Sequence, residues 1–271
     1  MLADLAREGA MALAGGTSMV LLLKSRLVSP SALVWLGRVG ELGGIDPLPG
    51  GGLRVGANVR VGELARSELI RREAPALARA ASVVGNPRVR AVATLGGALA
   101  HADPRQDLPP VLLALGASVT LAGPSGRREV PLERFFLSLM ETEVRPGELI
   151  TEVAVPPGPG RRLAYARYAP GSEDDYPTVG AAAAVTMSDG VVERAVVALG
   201  GVGPTPLLVP GLDPLLAGRA PDESALGAAA EAAQAAVRPT DDQRGSAAYK
   251  RAMAGVFTKR VLESCLSPHA R

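Results

Sequence analysis

Residues 13–26, LAGGTSMVLLLKSR, place two glycines and two hydroxyl residues directly before a run of large apolar side chains. Glycine has no Cβ, so its φ can be positive and its N–H can approach another group closely. The apolar run predicts a helix over 18–26, which Thr17 or Ser18 can cap through its hydroxyl. Two structures fit this pattern: a glycine turn into a capped helix, or a backbone cradle for an anion such as pyrophosphate.

A second double glycine occurs at 94–98, TLGGA, again beside a hydroxyl residue. Asp103 and Asp107 follow it, and each could accept a hydrogen bond from a ligand hydroxyl or an N–H group. Asp107 could instead cap a helix that begins at Leu108. His101 lies in the same segment, but no nucleophile and acid accompany it in the pattern of a catalytic triad.

The segments around the first loop predict a small parallel sheet. Strands are expected at 10–14 and 31–36, with the predicted helix between them, which gives a β-turn-α-β order. A helix is expected to end at Gly9. Residues 37–52 are rich in glycine and proline and lack periodicity, so we expect a linker there.

The remaining sequence predicts a helix-rich segment and then an antiparallel sheet followed by helices. Residues 188–190, SDG, are typical of a hairpin turn. A meander of strands followed by helices indicates an α+β arrangement. Strands are expected at 53–57, 149–155, 163–168, 179–187 and 191–199, and helices at 61–69, 75–83, 223–237 and 246–264.

Composition excludes several classes of function. A net charge of +2 over 271 residues gives no electrostatic footprint for nucleic acid. The single cysteine, Cys265, excludes an internal disulfide and a cysteine-ligated cluster, and two histidines suggest no transition-metal site. The apolar stretch 19–23 is too short to span a bilayer, and the first ten residues lack a signal-peptide pattern. We therefore expect a cytoplasmic protein.

Five motifs together resemble one family in their order and spacing. The FAD-binding (medium) subunits of the molybdenum hydroxylases, the relatives of xanthine dehydrogenase and aerobic carbon monoxide dehydrogenase, carry similar motifs. The resemblance covers essentially the whole chain. The motifs here are LAGGTS, ATLGGALAHADPRQDLP, GELITEVAVP, YARYAPGSEDDYPTVGAAAAV and ALGGVGPTPL.

The resemblance implies an α+β fold. Residues 1–158 would form a two-part FAD-binding domain of the PCMH/vanillyl-alcohol-oxidase type, with parts at about 1–40 and 50–158. Residues 159–271 would form a C-terminal domain of antiparallel sheet plus helices. Two departures stand out: Ala98 replaces the usual asparagine, which removes one side-chain hydrogen bond, and the usual first strand and much of the first helix are missing. Either the start site is misassigned or the sheet edge is trimmed.

The resemblance also implies which residues bind FAD, with no catalytic residue and no metal ligand on this chain. The backbone of the two glycine loops would hold the pyrophosphate and ribityl region. The implied FAD-binding residues are Ala14, Gly15, Gly16, Thr17, Ser18, Met19, Thr94, Leu95, Gly96, Gly97, Ala98, Asp107, Ile150, Arg167 and Tyr176.

Four of these residues have individual roles by resemblance. Asp107 would bind near the ribityl chain or pyrophosphate, and Ile150 would pack by the flavin. Arg167 would lie near the isoalloxazine carbonyls. Tyr176 would shield one face of the ring, where an aromatic side chain can stack and keep its hydroxyl polar. The alternative for Tyr176 is an aromatic residue at a domain interface.

By resemblance, the chain would pass electrons from iron–sulfur centres through FAD to NAD, dioxygen or a quinone. Its partners would be a large molybdenum-cofactor subunit and a small iron–sulfur subunit, in a heterotrimer that could dimerise. One alternative is a self-contained flavin oxidase or reductase, for which the sequence offers no acid–base pair. The other is a degenerate scaffold subunit whose loops are purely structural.

Overall fold

The computed structural model describes residues 4, 8–218 and 220–267. Helices and strands are mixed in it, and a C-terminal antiparallel sheet carries helices, which confirms the predicted α+β class. Most of the helix expected before Gly9 lies outside the described residues. Within the described part of the chain, no helix has both the length and the apolar character needed to cross a membrane.

Residues 10–35 form a small parallel sheet with one helix, as the sequence predicts. Strand β1 (Ala10–Leu13) pairs in parallel with strand β2 (Ala32–Trp35), and helix α1 (Met19–Lys24) connects them. Helix α1 is shorter than expected and buries none of its side chains completely. The glycine loop lies between β1 and α1, and its residues 14–18 are partly exposed.

The linker predicted at 37–52 is wrong. A 3-10 turn at Gly40–Leu42 is followed by strand β3 (Ile45–Pro47), which pairs antiparallel with strand β4 (Leu53–Gly56). A three-residue strand is too short to show a period of two. Its place in the sheet comes from backbone pairing, and Leu42 packs in a small buried cluster with Leu36 and Leu149.

The first hydrophobic core lies around a five-stranded antiparallel sheet of order β3-β4-β9-β5-β6, in which β5 is Ser118–Gly123, β6 is Gly126–Pro131 and β9 is Leu149–Val155. In β9 the apolar residues Val153 and Val155 are buried, whereas Glu152 and Ala154 are partly exposed, as the alternating sequence predicts. The elements after β4 are α2 (Val61–Arg66), α3 (Glu68–Glu73), α4 (Pro75–Ser82), α5 (Pro87–Arg90), α6 (Leu95–His101), α7 (Leu108–Ala114), β5 (Ser118–Gly123), β6 (Gly126–Pro131), α8 (Leu132–Phe135), β7 (Phe136–Ser138), β8 (Glu141–Thr142) and β9 (Leu149–Val155).

In the described residues after 160, a four-stranded antiparallel sheet and three helices form the C-terminal part of the chain. Its strand β11 (Val179–Ser188) is buried on both faces: Ala182 and Ala184 join the first core, whereas Ala181 and Ala183 join a second core with the helices. The sheet therefore lies between the two cores. The elements are β10 (Arg161–Tyr168), β11 (Val179–Ser188), β12 (Val191–Gly200), β13 (Leu207–Leu208), α9 (Leu212–Leu216), α10 (Glu223–Ala236) and α11 (Ala247–Leu266).

Candidate functional site

A cavity of about 980 Å³ opens between the β1–α1–β2 unit, the start of β9 and the segment 174–176 of the C-terminal part. Both glycine loops contribute to its wall. All the residues predicted to bind FAD line the cavity except Leu95 and Arg167. Residues from four distant parts of the sequence are thus brought together around one space large enough for a bulky organic ligand.

The first glycine loop needs both of its glycines. A Cβ on Gly15 would overlap the carbonyl oxygen of Val92, so the loop can approach the neighbouring segment only without a side chain. Gly16 has a φ of +74°, a conformation that other residues adopt with strain. The loop is therefore a turn pressed against the segment that leads into the second loop.

The backbone N–H groups of residues 15–18 form no hydrogen bond with any described residue. The predicted hydroxyl cap is also wrong: Ser18 occupies the N-cap position, but its backbone is helical and its side chain makes no capping bond. A capping residue normally has an extended backbone, which aims its oxygen at the first turn. Because the loop lines the cavity, these backbone donors are available to an anionic ligand.

The second glycine loop differs from the first because its N–H groups are already bonded. Thr94 caps helix α6 through its hydroxyl, and a Cβ on Gly97 would lie 2.9 Å from that oxygen. Leu95 is completely buried in the first core, which explains its absence from the cavity wall. The bonds are Leu95 N to Val59 O at 2.9 Å, Gly96 N to Ala57 O at 2.8 Å, Gly97 N to Thr94 Oγ1 at 3.2 Å and Ala98 N to Thr94 O at 2.9 Å.

Asp107 lies at the N-cap position of α7, but its side chain makes no capping bond, so that prediction is wrong. Its carboxylate instead accepts a hydrogen bond from the Tyr165 hydroxyl at 2.6 Å and lies 3.3 Å from Nε of Arg167. Burial raises the pKa of Asp107 to about 6, although Arg167 and Tyr165 both oppose the rise. This buried carboxyl group is part of the cavity wall.

Arg167 lies behind the wall. Its guanidinium donates hydrogen bonds to the backbone carbonyl oxygens of Val83, Glu173 and Asp175. With its contact to Asp107, it joins helix α4, the segment before Tyr176 and the cavity wall. A position of Arg167 near the isoalloxazine carbonyls stays a prediction.

Tyr176 and Ile150 form parts of the wall that differ in exposure. Ile150 is 5% exposed on β9, whereas Tyr176 is 37% exposed on the loop after β10. The backbone of that loop is held by Arg244, which donates to the Asp175 carboxylate at 2.6 Å and to the Tyr176 carbonyl oxygen at 3.3 Å. Tyr176 therefore combines a fixed main chain with a partly exposed ring.

Several polar residues of the wall were not predicted from the sequence. They include Asn58, Gln106, Thr142, Arg145, Glu148, Asp174 and Asp175. Asn58 lies two residues after the end of strand β4, and its side chain donates to the Leu36 carbonyl oxygen at 2.6 Å. The only sequence signal for Asn58 as a site residue was its position as a polar residue shortly after a predicted strand. His101, noted only as a neighbour of the second loop, also lines the cavity, and burial lowers its pKa.

Two families match the sequence along most of its length. The FAD binding domain in molybdopterin dehydrogenase matches residues 1–158, and the CO dehydrogenase flavoprotein C-terminal domain matches residues 164–265. The carbon monoxide dehydrogenase medium chain of Hydrogenophaga pseudoflava is 37% identical over 253 residues, which cover 93% of this chain and 88% of that protein. The corresponding chain of Afipia carboxidovorans is 35% identical, with 94% and 88% covered.

Solved structures agree with these sequence matches. A chain of carbon monoxide dehydrogenase from Hydrogenophaga pseudoflava, lacking the Mo-pyranopterin moiety, superposes with a TM-score of 0.94 at 36% identity, covering 97% of this chain and 92% of that one. Quinoline 2-oxidoreductase from Pseudomonas putida 86 gives a TM-score of 0.92 at 33% identity, with 98% and 92% covered.

The residues present also fit FAD. The side-chain-free turn at Gly15 and Gly16 offers free backbone donors for a diphosphate, and Ile150 offers an apolar surface for a ring. These features lie in one cavity, as a single extended ligand requires. The chain belongs to the family of FAD-binding medium subunits of the molybdenum hydroxylases and is thus an oxidoreductase subunit.

Proposed function

We propose that this chain carries electrons from the iron–sulfur centres of a small partner subunit, through FAD, to an external acceptor. The acceptor would be NAD, dioxygen or a quinone, and a large molybdenum-cofactor subunit would oxidise the substrate. Bound FAD supplies the redox chemistry, since it can exchange electrons with both a one-electron donor and a two-electron acceptor. The protein's own residues bind and orient it.

The observation that carries the proposal is the contrast between the two glycine loops. Residues 15–18 present unbonded N–H groups to the cavity, whereas those of 95–98 are used within the chain. Unpaired backbone donors at a protected site cost free energy unless a ligand or water accepts their bonds. We therefore assign the diphosphate to the first loop, and to the second loop a closely packed backbone wall.

Asp107 is assigned to a ligand hydroxyl of the ribityl region. Tyr165 and Arg167 both contact its Oδ1 atom, so the Oδ2 atom keeps its lone pairs for an acceptor role. A carboxyl group with a pKa of about 6 is largely ionised at neutral pH and accepts hydrogen bonds strongly. Its role is binding rather than proton transfer, because no second titratable group is hydrogen-bonded to it from inside the cavity among the described residues.

A need for partner subunits follows from the single cysteine. Cys265 is completely buried on α11, and burial raises the pKa of its thiol to about 12. A cluster requires several thiolates, which this sequence cannot provide. The iron–sulfur centres must therefore lie on another chain.

Purification of the tagged chain from its native cells tests this function. We expect two further chains to copurify, one with molybdenum and one with iron and sulfide, together with FAD at one per tagged chain. The flavin absorbance should bleach when the substrate of the complex is added and return with an acceptor. A single chain that hydroxylates substrate alone would refute the electron-transfer role.

A further inference from the structure

We propose that Arg105, held by the buried carboxylate of Asp103, is a positioning residue that fixes the Tyr176 ring against the flavin cavity. The inference rests on the FAD site described above and concerns how one wall of that site is kept in place. It assigns a function to Arg105, whose side chain contacts neither the glycine loops nor the strands of the C-terminal sheet in its hydrogen bonds and ring contact with the described residues.

The Arg105 guanidinium lies over the aromatic ring of Tyr176, with its Cζ atom 5.2 Å from the ring centroid. Tyr176 lines the cavity and Arg105 does not. The cation therefore contacts the ring from outside the cavity and leaves the cavity side of the ring free for a ligand. A cation over an aromatic face is attractive because the face carries the negative part of the ring quadrupole.

Arg105 is itself tightly held by Asp103. Its Nε donates to Oδ1 at 2.9 Å, its Nη2 donates to Oδ2 at 2.6 Å, and its backbone N–H donates to Oδ1 at 2.9 Å. Asp103 is 3% exposed. Burial alone would raise the pKa of Asp103, but the hydrogen bonds and charge of Arg105 outweigh it and hold that pKa below its usual value. The pair stays ionised, and the two-point contact fixes the plane of the guanidinium.

The turn that carries this pair is anchored by the C-terminal sheet. The N–H of Gly201 donates to the Pro104 carbonyl oxygen at 2.7 Å. A Cβ on Gly200 would lie 3.1 Å from the same oxygen and 2.8 Å from Pro110. The double glycine at 200–201 thus allows the close approach that sets the position of Arg105.

The main chain and the ring of Tyr176 are held by different arginines. Arg244 bonds the Tyr176 carbonyl oxygen and the neighbouring Asp175 carboxylate, so it fixes the backbone. No described side chain donates a hydrogen bond to the Tyr176 hydroxyl, and the residue is partly exposed. Contact with Arg105 is therefore what selects the ring orientation, and its loss frees the ring to rotate into solvent.

Flavin fluorescence in the FAD-loaded protein, with its copurifying chains if present, tests the assignment. A phenol ring against the flavin quenches its emission and blocks collisional quenchers. We expect Arg105→Gln to raise flavin emission and to raise the quenching constant of acrylamide, a neutral quencher, by about two- to fivefold. Asp103→Asn should act in the same direction, and Tyr176→Ala should give the largest effect.

Two further variants separate positioning from general destabilisation. Arg105→Lys keeps the charge but loses the two-point contact, so its quenching constant should fall between the wild-type and Arg105→Gln values. Arg72→Gln removes an arginine that pairs with Glu73 on the exposed face of α3, and it should match the wild type.

The outcomes are decisive. The proposal fails if Arg105→Gln and Asp103→Asn both match the wild type while Tyr176→Ala raises quenching, because the ring then holds its place unaided. It also fails if Tyr176→Ala changes nothing. If Arg105→Gln does not fold, Asp103→Asn and Arg105→Lys decide alone. A wild-type protein that takes up no FAD would instead contradict the flavin site itself.

Discussion

Replacing Asp107 by asparagine should change how stability depends on pH. Burial gives this carboxyl group a pKa of about 6 in the folded chain instead of its usual 3.8. An acid whose pKa is raised by folding stabilises the folded state fully below the unfolded pKa, and this contribution is lost as the pH rises through the folded pKa. The whole effect corresponds to about 3 kcal/mol, of which about 1.4 kcal/mol appears between pH 8 and pH 5.

Urea unfolding of the flavin-free chain at the two pH values measures this contribution. Other carboxylates also titrate, so the quantity to compare is the difference in unfolding free energy between the wild type and Asp107→Asn. On going from pH 8 to pH 5 that difference should shift by about 1.4 kcal/mol in favour of the wild type, since only the wild type gains a proton at this site. Asp174→Asn, which removes an exposed carboxylate from the same cavity, is the matched control.

The reasoning would be refuted by a difference that is the same at both pH values. It would also be refuted by a shift of the opposite sign, because that would mean the folded chain favours the ionised form through Arg167 and Tyr165. The absolute effect of Asp107→Asn at one pH is not diagnostic. It combines relief of a buried charge with loss of the contact to Arg167.

Three further predictions concern the loop, the arginine behind the wall and the thiol. Gly15→Ala should abolish FAD retention, measured by flavin absorbance after gel filtration, because the new Cβ would overlap the Val92 carbonyl oxygen. Gly227→Ala on α10, a position with open space around it, should retain FAD. Equal FAD retention by the two variants would contradict the role of the first glycine loop. Arg167→Ala removes a cation beside the site and should lower the midpoint potential of bound FAD in spectroelectrochemistry; an unchanged potential would remove that role. Cys265, with a pKa of about 12, should resist a thiol reagent at pH 8 until the chain unfolds; prompt labelling of folded protein would count against its burial.

The glycine loops were predictable because adjacent glycines in the sequence indicate a turn directly, without reference to distant residues. No other residue fits at Gly15 without a clash or at Gly16 without backbone strain. The pair of glycines in the sequence is therefore enough to predict the turn. The parallel pairing of β1 and β2 follows from the same local pattern, since a helix between two strands allows a crossover. Constraints between residues that are close in the sequence can therefore be predicted from one sequence.

The failed predictions depend on backbone conformation and on pairing that a local sequence pattern does not show. Asp107 and Ser18 have sequences typical of caps, but their backbones are helical, and Asp107 finds Tyr165 across 58 positions instead. Strand β3 exists because β4 pairs with it, and not because its three residues favour a strand. The position of Tyr176 on the cavity came from resemblance to a family, because no periodicity links residue 176 to residue 15.

The alanine-rich strand β11 makes the two halves of the molecule inseparable. Its odd-numbered alanines pack in the core with the helices, and its even-numbered alanines pack in the core of the flavin half. One strand therefore belongs to both hydrophobic cores. A fragment of residues 1–158 alone would expose the hydrophobic face that packs against this strand. We expect such a fragment to aggregate rather than fold as a stable monomer. Backbone amides of this strand should exchange their hydrogens for deuterium only when the whole molecule opens.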